Sequence, residues 1–189
     1  MSEINPQTNC PRYVYKEIER ILYTPEQIAE AIKRVGAEIT RDYQGKKPLF
    51  IGVLKGSFVF LSDLIRAVDL PCRIDFLSAK SYGESTVSSG FVRIIKDIDE
   101  VVEGRDVIVV EDILDTANTL SSICEILLAR KPASLKICTF LEKDIARKIT
   151  LVPDYYCFRV ENEFVVGYGL DYAEKYRNLP YLGVIKKQV

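Results

Sequence analysis

The stretch VIVVEDILDTANTL, Val107 to Leu120, sets three carboxylates against an apolar background. Four of its first five positions are apolar, the composition of a strand buried on both faces. Glu111 and Asp112 then stand side by side, Asp115 follows three residues later, and Thr116, Asn118 and Thr119 crowd behind it. Unpaired buried carboxylates are costly, so this much acid predicts a bound ligand. Carboxylates accept hydrogen bonds from vicinal hydroxyls, which suits an acidic pair to a polyol. Where the strand hands over to a helix, the helix N-terminus offers unpaired N–H groups and partial positive charge, a seat for phosphate. Thr116 and Thr119 add hydroxyl donors. Together the two features are similar to a ribose 5-phosphate site. The hydroxyls alone would not carry this, since Thr and Asn also cap helices with no ligand present. A solvated or salt-bridged acidic pair is the bland alternative.

The chain contains no histidine. That removes Ser-His-Asp and Cys-His machinery, HExxH zinc sites and any imidazole base. Acid–base work falls to Asp, Glu, Lys or Tyr.

The elements that must position these groups can be read from periodicity and caps. Thr24 to Ile39 opens with a capping residue, Pro25 at the first helical position and Gln27 completing a capping box. Ile28, Ile32, Val35 and Ile39 then share one helical face. Pro48 to Leu54 reads as a strand, KGS leads into a helix over FVFLSDLIRAV, and Cys72 to Lys80 reads as another strand. SYGESTVSSG, Ser81 to Gly90, is loop-like, and FVRIIKDI resumes in extended form. RDVIVVEDIL is a strand, Thr119 to Arg130 a helix, and SLKICTFLEK and Phe164 to Leu170 further strands. Strands alternating with helices predict an α/β fold around a mainly parallel sheet covered on both faces. Such sheets bind ligands beyond the carboxyl ends of their strands, where both Glu111–Thr119 and Lys55-Gly56-Ser57 fall. The chain is expected to turn at the acidic pair, letting both carboxylates reach one ligand.

The 189 residues carry 26 basic against 27 acidic side chains, net −1. That balance gives no support to a nucleic-acid or membrane-surface binder. Five cysteines, Cys10, Cys72, Cys124, Cys138 and Cys157, form no CxxC pair and no metal-type spacing, as expected of reduced thiols in a reducing compartment. With no signal peptide and no apolar run of about 18 residues, a cytoplasmic protein is expected. No repeat or linker interrupts residues 1–189, so one domain is expected.

The segment VIVVEDILDTANTL resembles the ribose-phosphate-binding signature of the type I phosphoribosyltransferases, two acidic residues followed by a D-T/S-x-x-T loop. LKGSFVF at Leu54, SYGEST at Ser81, LEK at Leu141 and EFVVGYGLDYAEKYRNLPYLGVI from Glu163 to Ile185 narrow the resemblance to the hypoxanthine-guanine branch. It runs from about Ile21 to Val184. The resemblance implies the fold of that family, a mainly parallel central sheet flanked by helices, with a small hood built from the terminal segments. It also implies transfer of a phosphoribosyl group from phosphoribosyl pyrophosphate to N9 of a 6-oxopurine (hypoxanthine, guanine, with xanthine left open). The products are IMP or GMP and pyrophosphate, in purine salvage, with Mg2+ as cofactor and a homodimer or homotetramer as the assembly.

Residue by residue, the resemblance implies that Glu111 and Asp112 hold the ribose hydroxyls and one Mg2+, and that Asp115 is the general base at purine N7. Thr116, Ala117, Asn118 and Thr119 match the 5′-phosphate loop. Lys143 matches the donor to purine O6, Phe164 the ring stacked on the base, and Val165 the backbone reading its edge. Asp171, beside the purine, matches a ligand of a second Mg2+. Lys55, Gly56 and Arg177 match pyrophosphate contacts, with the bond before Lys55 often cis in the family. Ser81 and Tyr82 begin the loop that closes over the site.

Two positions depart from the family pattern. Ala117 stands where glycine is common, and Asn118 where some relatives have lysine. Because alanine avoids positive φ, right-handed geometry is expected at Ala117. Two other classes remain to be weighed: a non-catalytic phosphoribosyl or nucleotide-binding regulator on the same fold, and a receiver-like acidic pocket. The regulator could dispense with Asp115 or Lys143. The receiver gives no reason for the phosphate loop behind Asp115.

Overall fold

A computed structural model of the chain describes residues 15–81, 92–145 and 149–186. Its main sheet has six strands: β2 (Leu49–Leu54), β3 (Arg73–Ser81), β4 (Val92–Lys96), β5 (Asp106–Leu114), β6 (Ser134–Lys143) and β7 (Tyr155–Val160). They lie in the order β4-β3-β2-β5-β6-β7. β3, β2, β5, β6 and β7 run parallel, and β4 is antiparallel at one edge. The reversal of strand order at β2 and β5 makes the crevice beyond their carboxyl ends a ligand site.

Helices α1 (Pro25–Asp42) and α2 (Phe58–Ala67) cover one face, and α3 (Asn118–Leu128) the other. The capping box at Thr24 forms as the sequence predicts. Gln27 N–H donates to Thr24 Oγ1, and the Gln27 side chain accepts from the Thr24 N–H. The buried stripe of α1 is Ile28, Ala31, Ile32, Val35, Gly36 and Ile39. Central strands β2 and β5 are buried on both faces, so continuous apolar runs stand where alternation would otherwise appear.

A second, antiparallel sheet joins β1 (Ile18–Tyr23), β9 (Leu182–Ile185) and β8 (Val165–Val166) in the order β1-β9-β8. It brings the two ends of the described chain together as the hood. β1, β9 and β7 do not stand out in the sequence as strands, whereas β8 falls within the expected Phe164 to Leu170 run.

Three expectations need correction. Phe164 to Leu170 is not one strand: pairing stops at Val166, and Gly167, Tyr168 and Gly169 turn with φ of 99°, 50° and 100°. The run is apolar because its residues pack inward, not because they pair. The acidic pair does not sit at a turn either. β5 continues through Glu111 and Asp112 to Leu114, paired with β6 as far as Glu142, whereas its pairing with β2 ends at Val110. The carboxylates gain their opening from the end of β2, not the end of β5. Ala117 adopts φ 68° and ψ −7°, the left-handed region, against the right-handed geometry expected for alanine. It must reverse the chain between β5 and the first turn of α3.

Candidate active site

A cleft of about 180 Å3 opens beyond the sheet, lined by Asp112, Asp115, Lys143, Phe164, Val165 and Asp171. They come from β5 and the turn after it, the last residue of β6, β8 with the residue before it, and the turn that follows β8. Residues far apart in sequence are thereby gathered at one rim.

Asp115 and Lys143 face each other across neighbouring strands, with Lys143 Nζ donating to Asp115 Oδ2 at 2.9 Å. The lysine is largely buried at 11% exposure and the aspartate open at 44%. A cation at the floor and a carboxylate at the mouth is an arrangement able to read a carbonyl and accept a proton. Phe164 leaves 53% of its surface uncovered, an unusual exposure for a ring at the start of a buried strand. It meets Tyr172 edge-on, with centroids 5.4 Å apart, which leaves a face free for stacking. Val165 is buried in β8.

Glu111 and Asp112 lie deeper. Crowding by protein pushes the Glu111 carboxyl well above the usual range, and the Asp112 charge beside it adds to the effect. Burial also raises Asp112, outweighing its bonds to Glu111 and to the Ile113 N–H and the charge of Arg177. A site that leaves two adjacent carboxyls short of counter-charge is built to receive hydroxyl donors or a cation. Beside them, Thr139 Oγ1 on β6, in register with Glu111, is buried without a hydrogen-bond partner.

Lys55 follows a cis peptide bond after Leu54, and its ammonium pairs with Glu174 at 3.0 Å. Gly56 packs against Asp112 and leaves no room for a side chain. Arg177 NH2 pairs with Asp171 Oδ1 at 2.7 Å, while its NH1 donates to the Gly169 carbonyl at 2.8 Å. Arg177 Nε is buried with no acceptor. Asp171 Oδ2 also accepts from the Glu174 N–H at 2.8 Å. Thr116 and Asn118 are exposed at the start of α3, Thr119 is half-buried and Ala117 is buried. Of the expected closing loop, Tyr82 and the side chain of Ser81 lie outside the described residues.

Several contributors carry no local signal in the sequence. Glu163 lines the cleft and is gripped by Arg20 of β1 through two hydrogen bonds of 2.8 and 2.7 Å, tying the hood across the base-side wall. Glu174 holds Lys55, and Tyr168 donates its hydroxyl to Asp63 of α2. Each pair joins residues more than a hundred positions apart, so spacing could not disclose it.

This fold and this cleft have known counterparts. The chain belongs to the phosphoribosyltransferase family: the family model described as the phosphoribosyl transferase domain matches residues 19–173. Its relatives point to one branch. The hypoxanthine-guanine phosphoribosyltransferase of Bacillus subtilis is 51% identical over 173 residues, covering 92% of this chain and 96% of that protein. A crystal structure of a hypoxanthine phosphoribosyltransferase from Staphylococcus aureus matches with a TM-score of 0.87 at 48% identity, covering 90% of this chain and 92% of that one. The bifunctional protein TilS/HprT of Listeria monocytogenes is 47% identical over 176 residues; this chain spans 27% of its length.

Proposed function

We propose that the protein transfers the 5-phosphoribosyl group of phosphoribosyl pyrophosphate to N9 of hypoxanthine or guanine, giving IMP or GMP and pyrophosphate. The observation that carries this reading is the Lys143–Asp115 pair at 2.9 Å beside the half-exposed Phe164. An ammonium has donors only, so Lys143 favours a 6-oxo purine over a 6-amino one. Phe164 stacks on the base and the Val165 backbone reads its edge. Asp115 takes the N7 proton, a role that falls to a carboxylate in a chain without histidine.

Glu111 and Asp112 accept from the ribose hydroxyls, and the start of α3 from Thr116 to Thr119 holds the 5′-phosphate. Lys55, the Gly56 backbone and Arg177 face the pyrophosphate, and the orphaned Arg177 Nε supports that placement. The transition state is oxocarbenium-like, so positioning and charge stabilisation dominate the catalysis.

Mg2+ is the cofactor of this reading. Among the described residues no group of three or more Cys, Asp or Glu side chains forms a metal cage, but Mg2+ is commonly held by one or two carboxylates with waters and substrate phosphates. The donor set fits, because Asp112 and Asp171 line the cleft with carboxyl oxygens and Glu111 stands next to Asp112 on the same strand. When bound, Mg2+ would neutralise pyrophosphate charge as the leaving group departs.

We assign residues 1–189 to one phosphoribosyltransferase domain that works as a homodimer or homotetramer in the cytoplasm. A groove between α1, α2 and residues 177–180, with Phe58 46% exposed in it, supports association. The four described cysteines are free thiols, in keeping with a reducing compartment. Among the described residues no helix is long and apolar enough to cross a membrane.

The test is turnover with phosphoribosyl pyrophosphate and Mg2+ against hypoxanthine, guanine, xanthine and adenine separately. Nucleotide and pyrophosphate formation with the first two, and none with adenine, is expected. Tight ligand binding without turnover would instead identify a regulator.

A further inference from the structure

α2 is placed between two parts of the site. The loop before its first residue carries Lys55 and Gly56, and Ser57 Oγ fastens that loop by donating to the Val53 carbonyl at 2.7 Å. Farther along the same helix, Asp63 accepts the hydroxyl of Tyr168. Tyr168 is the middle of the three consecutive left-handed residues after β8. It is 6% exposed, and its ring packs 4.8 Å from that of Phe140. Burial, reinforced by the bond to Asp63, pushes its hydroxyl upward, so it remains a donor across the physiological range.

What Tyr168 holds is the other half of the pyrophosphate side. Its N–H donates to the Leu179 carbonyl at 2.8 Å, and the next residue, Gly169, exchanges bonds with Arg177. The Gly169 N–H donates to the Arg177 carbonyl at 3.0 Å, and Arg177 NH1 returns to the Gly169 carbonyl at 2.8 Å. Gly169 also lies so close to the Gly56 carbonyl that a Cβ there would sit 2.2 Å away. One helix thus fixes Gly56 from its N-terminal loop and Gly169 from its middle.

We propose that Asp63 and Tyr168 form a positioning clamp that sets the distance between Lys55-Gly56 and Arg177-Asp171, and so tunes affinity for the pyrophosphate end of the substrate. Neither residue lines the cleft. The clamp works by anchoring Tyr168, the one non-glycine of the Gly167–Gly169 arch, at a left-handed φ that would be costly to hold alone. This rests on the transferase reading above.

The test is two-substrate kinetics on full-length Tyr168→Phe, Asp63→Ala and Asp63→Asn, with melting temperature and calorimetric Kd for phosphoribosyl pyrophosphate plus Mg2+ measured in parallel. Losing a hydrogen bond to a carboxylate predicts a rise of roughly 10-fold in KM and Kd for phosphoribosyl pyrophosphate in Tyr168→Phe and Asp63→Ala. KM for guanine stays within about 2-fold. Asp63→Asn keeps an acceptor for the hydroxyl and recovers most of the affinity. An unchanged Kd in Tyr168→Phe overturns the clamp, as does a rise in both KM values together with a fall in melting temperature. A wild-type chain without turnover overturns the transferase reading alone, because the Kd comparison still decides the clamp.

Discussion

Gly56 and Asp112 are packed so that a methyl group on Gly56 would lie 1.5 Å from Asp112 Oδ2 and 2.3 Å from its Cγ. No rotation of a flexible chain end relieves this, because Asp112 is short and its other oxygen accepts the Ile113 N–H at 2.8 Å. The loop at the end of β2 and the acidic pair on β5 therefore fit only when position 56 has no side chain.

Gly56→Ala should drive the Asp112 carboxylate out of place. Displacing a binding group by about 1 Å predicts a loss of roughly 100-fold in kcat/KM for phosphoribosyl pyrophosphate. Overpacking predicts a stability cost of about 1–3 kcal/mol. Steady-state kinetics and denaturant titration check both, and wild-type values would show that the acidic pair tolerates a different arrangement.

Ala117 gives the opposite sign. Its φ of 68° is a conformation that glycine adopts without penalty, so Ala117→Gly should stabilise the ligand-free protein by about 1 kcal/mol. Had the loop been right-handed, glycine would have destabilised it. Melting temperature without ligand decides the matter, and a fall would contradict the left-handed geometry.

Asp75 sets an acid limit on the scaffold beneath the site. Its carboxylate accepts from the N–H groups of Phe76 at 2.7 Å, Asp99 at 2.6 Å and Glu100 at 2.8 Å, tying β3 to the segment that leads into β5. Burial raises its pKa, but these backbone donors outweigh that and leave it below the ordinary 3.8. Its contribution is therefore present above the unfolded value and lost as pH falls through the folded one. Asp75→Asn should cost about 1–3 kcal/mol at neutral pH and less at an acid pH where the folded-state carboxyl is protonated. Equal costs at both pH values would contradict the assignment.

Lys143→Gln adds an acceptor where Lys143 has donors only. Transition-state binding of guanine should weaken by about 1–3 kcal/mol, read from kcat/KM. Discrimination against adenine should shrink with it. Unchanged guanine kinetics would show that another group reads O6.

What the sequence disclosed follows the range of the forces involved. The cap at Thr24 and the stripe on α1 are local, and the burial of β5 imposes a continuous apolar run, so both could be read directly. The acidic pair, Asp115 and Lys143 could be singled out as a set through motif resemblance, and the sheet order then brings them to one cleft. The turn at Gly167–Gly169 was hidden because its apolar residues satisfy tertiary packing against α2 and the Leu179 segment. Ala117 misled for a related reason, since an intrinsic preference is overridden where a strand must reverse into a helix. Arg20–Glu163 and Asp63–Tyr168 leave no local trace, because each exists only once the hood or α2 has docked.

The central claim is that Asp115 acts on the base rather than merely holding it. It is tested most directly by kcat for guanine in Asp115→Asn, with Kd for GMP measured on the same protein. The account predicts that kcat falls roughly 10²- to 10⁴-fold while GMP still binds. Turnover near the wild-type rate would show that N7 loses its proton without Asp115.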